Sequence, residues 1–317
     1  MAFKIINREK QEVFIGSGQV HGVQSISYNW AIPEAPIEFI GQSNSLIVPQ
    51  GPQIGDFSIN MLVVDTDPLV KCISSGAFNG FITDDRRDPT RFYSFYSGYL
   101  TRYTLSCGVD SLPQVNATFR VVGDMGKIPS GSLPPEPAAE LRYITGTTPA
   151  QTAPTGFADN PGDGGYRIGA PTSVEITMDD FEANIVNSFT LGLEIPRRDY
   201  YKIGRRSPFS VEIDYPVAAT ADFTIEVNGA DIGYSGSTFR GYPCKAKLKN
   251  FDVKIKDYQT YQVITQFNFT GATLIGENYQ VDVNNNLKIQ ARYKVYIENL
   301  LSETGNLNTP QLVTITN

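Results

Sequence analysis

One segment of this chain occurs twice. Residues 100–123 read LTRYTLSCGVDSLPQVNATFRVVG, and residues 248–271 read LKNFDVKIKDYQTYQVITQFNFTG. The two align without a gap at a constant offset of 148 residues (248 against 100). Leu100/Leu248, Gln114/Gln262, Val115/Val263, Phe119/Phe267 and Gly123/Gly271 are identical. Tyr103/Phe251, Leu105/Val253 and Cys107/Ile255 keep apolar character at alternate positions. A period of two marks one face of a strand, so each copy predicts a two-stranded unit.

Two further matches are collinear with the first. The same offset aligns residues 25–30 (SISYNW) with 173–178 (SVEITM), pairing Ile26, Tyr28 and Trp30 with Val174, Ile176 and Met178. With a small gap, Ile54-Gly55 and Phe57–Met61 match Ile203-Gly204 and Phe209–Ile213. The period is far longer than the roughly 20–50 residues of solenoid repeats, so the duplication predicts two domains and not an array. A chain of 317 residues is long enough for both. The expected division is a first domain over 1–128, a Pro/Gly-rich linker or excursion over 129–170, and a second domain over 171–317.

β-branched and aromatic runs predict strands at 23–30, 57–64, 92–100, 173–178, 210–215, 223–227 and 290–297. Asn228-Gly229 is a hairpin-turn signal. Asp67-Pro68 can open a helix, with Leu69, Cys72 and Ile73 on one face. The second half has no equivalent cap. The expected fold is mainly β: two similar antiparallel β-sandwich or half-barrel domains, with one short helix in the first.

Composition narrows the chemistry. The net charge of −7 opposes a basic face that reads duplex DNA. Cys72, Cys107 and Cys244 include no CxxC pair, which argues against a disulfide framework or a zinc site. Cys107 stands where the other copy has Ile255 and reads as a small buried apolar residue. His21 is the single histidine and has no evident nucleophile beside it. Asp282–Asn286 begins like a calcium loop, but Leu287 stands where that loop needs glycine. No catalytic residue, cofactor or metal ligand is therefore assigned, and enzymatic activity is not expected. The N-terminal MAFKIINREK lacks a secretory apolar core. No apolar run approaches the roughly 20 residues of a membrane span.

The opening Gly22–Tyr28 (GVQSISY), followed by Ile37–Gln42 (IEFIGQ), resembles the start of tail tube proteins of long-tailed bacteriophages. The likeness covers most of 20–125 and, more weakly, about 170–215 and 245–272. In that family six tube domains form a ring whose sheets join edge to edge around a DNA channel, and the rings stack. For a duplicated chain the resemblance implies a homotrimer with pseudo-sixfold symmetry. Its partners would be further copies, other tail proteins, and phage DNA passing without specific binding. It would be made in the host cytoplasm and reside in the virion tail.

On that reading Arg102, Thr104, Ser106 and Arg120 of the first hairpin, and Asn250, Asp252, Lys254 and Lys256 of the second, face the lumen. Otherwise they form the solvated face of an ordinary sandwich. Each hairpin carries a net charge of +1, which is unsuited to a DNA conduit; on this reading some of these charges pair across subunits, and the acidic excess lies elsewhere in the chain. A tail-tip hub or tube initiator with the same domain pair is the close alternative. A carbohydrate-binding β-sandwich, using the aromatic run Tyr93, Phe95, Tyr96 and Tyr99, is a different class.

Overall fold

The structure is a computed structural model. It describes residues 12–15, 18–37, 46–49, 54–64, 67, 69, 78–83, 92–122, 125–127, 168–178, 186–203, 208–227, 248–280, 287–297 and 313–316. The linker over 129–170 falls almost wholly outside these residues. So do Cys72, Cys244, the Asn228-Gly229 turn and the 282–286 loop.

Strands of the first half are β1 (Glu12–Ile15), β2 (Gly18–Val20), β3 (Val23–Ala31), β4 (Glu34–Ile37), β5 (Leu46–Pro49) and β6 (Ile54–Leu62). They continue with β7 (Phe78–Thr83), β8 (Phe92–Gly108), β9 (Ser111–Val121) and β10 (Met125–Lys127). The second half holds β11 (Gly169–Met178), β12 (Val186–Glu194), β13 (Arg197–Tyr200), β14 (Ser210–Ile213) and β15 (Val217–Val227). It ends with β16 (Leu248–Asp257), β17 (Val263–Gln280), β18 (Leu287–Ile297) and β19 (Val313–Thr316). Fifteen of these strands join in one open antiparallel sheet, while β4/β5 and β13/β14 form separate two-stranded ribbons. The mainly-β expectation holds. Of the expected helix only Asp67 and Leu69 are described, and there Leu69 N–H donates to Asp67 Oδ1 at 2.9 Å, as a cap requires.

The two halves do not build separate sheets. One path runs β3-β6-β9-β8-β12-β15-β18-β17-β16-β11, and the junction between halves is the β8–β12 pair. Seven registered residues make that junction, from Ser188 opposite Gly108 to Glu194 opposite Arg102. Leu191 faces Leu105 and Leu193 faces Tyr103, so the apolar side of each half continues into the other. The row Ile59, Ala117, Tyr103, Leu193, Ala219, Val295 crosses six strands and is buried throughout.

The sheet curls around this apolar face. Tyr103 on β8 lies 6.1 Å from the ring of Phe267 on β17, although β12, β15 and β18 separate those strands. Phe223 on β15 meets Phe251 on β16 edge-on at 5.3 Å. Phe57, Phe95 and Phe119 pack together in the first half, with Phe57 and Phe95 4.7 Å apart. One hydrophobic cluster unites all of these.

The recurrence in sequence is only partly a recurrence in structure. Both 100–123 and 248–271 form hairpins with the same residues turned inward. In the first, Tyr103 pairs with Ala117; in the second, its counterpart Phe251 pairs with Phe269, four residues beyond the position that the gapless alignment implies. The cause is the turn. Val109-Asp110 links β8 to β9, whereas residues 258–262 link β16 to β17. A slip by an even number keeps every side chain on its own face. The aligned Val115 and Val263 nevertheless differ, the first fully buried and the second exposed. The third sequence match also parts company. β6 lies within the main sheet between β3 and β9, while its counterpart β14 pairs only with β13 among the described residues.

Candidate functional site: the polar face of the sheet

The face opposite the core is built from the other alternate positions. Ser27, Ser58, Thr118, Arg102 and Glu194 form one row across β3, β6, β9, β8 and β12. The next row is Ser25, Asn60, Asn116, Thr104, Gly192, Thr220 and Lys294. Hydroxyls and amides dominate both rows. Ser58 and Thr118 hydroxyls are hydrogen-bonded across strands at 3.2 Å.

All eight residues singled out in the sequence take polar-face positions, but in two separate groups. Arg102, Thr104, Ser106 and Arg120 lie on β8 and β9. Asn250, Asp252, Lys254 and Lys256 lie on β16, separated from β8 along the sheet by β12, β15, β18 and β17. The apolar contacts across the curl lie on the inner side, so the polar face of β16 is on the convex side.

Arg120, Lys254 and Lys256 meet carboxylates from outside their hairpins. Arg120 does not stand free on the face. Its Nη2 meets Asp199 Oδ2 at 2.5 Å beneath the β13/β14 ribbon, and the side chain of Asp199 is 7% exposed. Tyr201 hydroxyl donates to the same oxygen at 3.1 Å, and Arg197 Nε donates to Leu100 O at 3.2 Å while its guanidinium covers the ring of Tyr99. On the other group, Glu175 of β11 takes a hydrogen bond from Lys256 and lies 3.6 Å from Lys254. Lys254 also meets Asp252 Oδ2 at 3.2 Å, and Gln266 Nε2 donates to that oxygen at 2.8 Å. The Lys256 hydrogen bond, helped by Lys254, draws the Glu175 carboxyl below its ordinary range. The hydrogen bond and charge of Asp252 raise Lys254. On β18, Arg292 Nε donates to Asp222 Oδ1 on β15 at 2.5 Å. Arg102 stands opposite Glu194. Lys249, which contributed to the hairpin charge, is buried and does not belong to this face. Asp199 and Glu175 therefore offset part of the charge imbalance read from the hairpins alone, and neither had been placed there by sequence reasoning.

Among the described residues, two shallow clefts border these strands. One, of about 240 Å³, lies between the ends of β8, β11 and β12. Its thiol, Cys107, is pushed up to about 11 by burial, as a packed apolar residue would be. The other, about 430 Å³, opens beside Gly276 and the Asp222–Arg292 pair. Among the described residues no three His, Cys, Asp or Glu side chains converge as a metal site, and no helix is long and apolar enough to cross a membrane. The aromatic run at 93–99 is not an open platform at Phe95 and Tyr99, which are 2% and 5% exposed.

No family model matches the chain, and no curated protein matches it. Among solved structures that do match is a chain from "Cryo-EM structure of the anti-feeding prophage (AFP) baseplate, 6-fold symmetrised". The alignment covers 41% of this chain and 93% of that one, at 10% identity and a TM-score of 0.27.

Proposed function

We propose that the chain is a non-enzymatic structural subunit of a phage-type tail. It self-associates, as a trimer with pseudo-sixfold symmetry, into rings that stack around a DNA passage. The observation that carries this reading is the charge-balanced polar face. A conduit for DNA must be wetted without binding phosphates, and here Arg120, Lys254 and Lys256 of the hairpins meet Asp199 and Glu175 of neighbouring strands. The β8–β12 junction supports it further. Two halves of one chain already extend a common sheet edge to edge, which is the contact that ring closure between copies repeats.

The tail-tip reading draws on a different observation. The edge of β8 that takes β12 is occupied, on the counterpart strand β16, by β11. The internal junction therefore cannot recur unchanged between copies, which suits a single terminal ring better than a long uniform tube.

Solution mass and electron microscopy of the purified full chain test both readings. Masses in multiples of three chains with visible rings are the expected result, and extended tubes favour the tube subunit over the terminal ring. A stable monomer at high concentration, with neither rings nor tubes, overturns both.

A further inference from the structure

Exposed apolar side chains collect at both ends of the strands, and the two ends differ in kind. One end carries hairpin turns. The β8/β9 turn exposes Val109 and Leu112, and the β16/β17 turn exposes Tyr258 and Tyr261. Val63 joins the two turns. Its N–H donates to Pro113 O at 3.0 Å, and its carbonyl accepts from Gly169 N–H at 3.1 Å, with Gly169 opposite Asp257. The other end carries the ribbons. β3 leads into β4/β5 after Ala31, which stands opposite Ile54, at the far end of β6 from Val63. β12 leads into β13/β14 after Glu194, at the far end of that strand from Ser188 and its partner Gly108. Beyond β13, Tyr201 is exposed and Ile203 is fully so.

The turn end is built for contact. Tyr261 has a φ of 56°, a left-handed conformation that glycine adopts freely and other residues rarely. Its N–H donates to Asp257 O at 2.9 Å, and the Asp257 carboxylate fixes the intervening Thr260. The chain thus holds a ring that is 67% exposed at a strained position where glycine would suit the backbone better. A tyrosine held rigidly offers a large contact area at small entropic cost. The two ends are also complementary in charge. Residues 200–209 (YYKIGRRSPF) carry three cations and no carboxylate, while 108–112 (GVDSL) and 257–262 (DYQTYQ) carry two carboxylates and no cation.

We infer that the two turns receive the β13/β14 ribbon of a second copy, end to end, so that Tyr258 and Tyr261 cover that copy's Ile203. This rests on the stacked assembly proposed above and names the surfaces that meet. The occupant follows from the pair of ends. One head-to-tail contact covers an apolar patch at each end, is attractive in charge, and continues from copy to copy without closing.

Tyr261→Gly separates this contact from the fold. It removes the ring and relieves the backbone, so the full chain should unfold at the same or a higher urea concentration. Stacking should nevertheless need about tenfold more protein or beyond. Electron microscopy and solution mass across a concentration series read the result. The wild type should form tubes, and Tyr261→Gly and Ile203→Asp should stop at single rings in multiples of three chains. Tubes from either folded variant at the wild-type concentration overturn the contact. A lower urea midpoint for Tyr261→Gly means that the ring serves the fold, which overturns its assignment here. Wild-type rings that never stack overturn the contact and leave ring assembly standing. A monomer at every concentration overturns ring assembly, and the contact with it. Should Ile203→Asp not fold, Lys202→Glu reverses the charge on the same ribbon and takes its place.

Discussion

Tyr103 is buried, and its hydroxyl, the one polar side-chain atom it brings into the core, donates to Asp67 Oδ2 at 2.5 Å. Burial first, and then the charge of Asp67, push the phenol well above its ordinary range, so it remains a donor. Tyr103→Phe should therefore destabilise by about 1–3 kcal/mol, the cost of removing a donor from a buried acceptor, as read by urea unfolding. Asp257 supplies a pH-dependent counterpart at the second hairpin turn. Its carboxylate accepts from Thr260 Oγ1 at 2.6 Å, Thr260 N–H at 2.9 Å and Ile168 N–H at 3.2 Å. The Thr260 hydroxyl, followed by the backbone donors, holds it below the ordinary carboxylate range. The unfolded chain then binds the proton more readily than the folded one. The contribution is complete above the ordinary carboxylate pKa, declines as pH falls, and is gone below the folded value. Hydrogen-exchange protection factors at residues 257–262, corrected for the intrinsic pH dependence of exchange, should fall through that acid window, and Asp257→Ala should abolish that fall.

At the scale of the strand, the decisive element is β12, which the sequence reading passed over. Its alternation is regular, with Phe189, Leu191 and Leu193 inward and Ser188, Thr190 and Gly192 outward. Gly192 weakens the strand signal, but it answers a local need. A Cβ there would lie 2.9 Å from Thr220 Oγ1 on β15. Gly192→Ala should cost about 1–2 kcal/mol, and Thr220→Ala in the same chain should restore most of it, a coupling measured by a double-mutant cycle. What the sequence made legible was facing: the inward set Tyr103, Leu105, Cys107 and its counterpart Phe251, Val253, Ile255 are buried as the period of two required. What stayed hidden was partnership. Nothing in VNSFTLGLE specifies the edge of β8, and an even register slip leaves the pattern untouched. The candidate face was legible for the same reason as the core, whereas Asp199 and Glu175 come from strands whose positions depend on tertiary pairing.

For the molecule as a whole, charge balance makes a measurable claim. The wild-type chain should not retain duplex DNA at physiological salt. Removing the matching carboxylates, Glu175→Gln with Asp199→Asn and Glu194→Gln, should produce retention that weakens steeply as salt rises, as read by filter binding. Retention by the wild type would contradict the proposed passage. The β8–β12 junction carries a consequence in time. The edge of β8 is complete at residue 108, but the strand that covers it begins at 186. At roughly 5–20 residues per second, a ribosome leaves that edge bare for about 4–16 s. During this interval every nascent chain presents an apolar core face and an unpaired edge to its neighbours on the same message. A chain stopped at residue 185 should make the interval permanent and collect as aggregate, while the full chain should remain in solution. Synthesis order, as much as final geometry, then decides whether β8 receives its own β12 or another chain's.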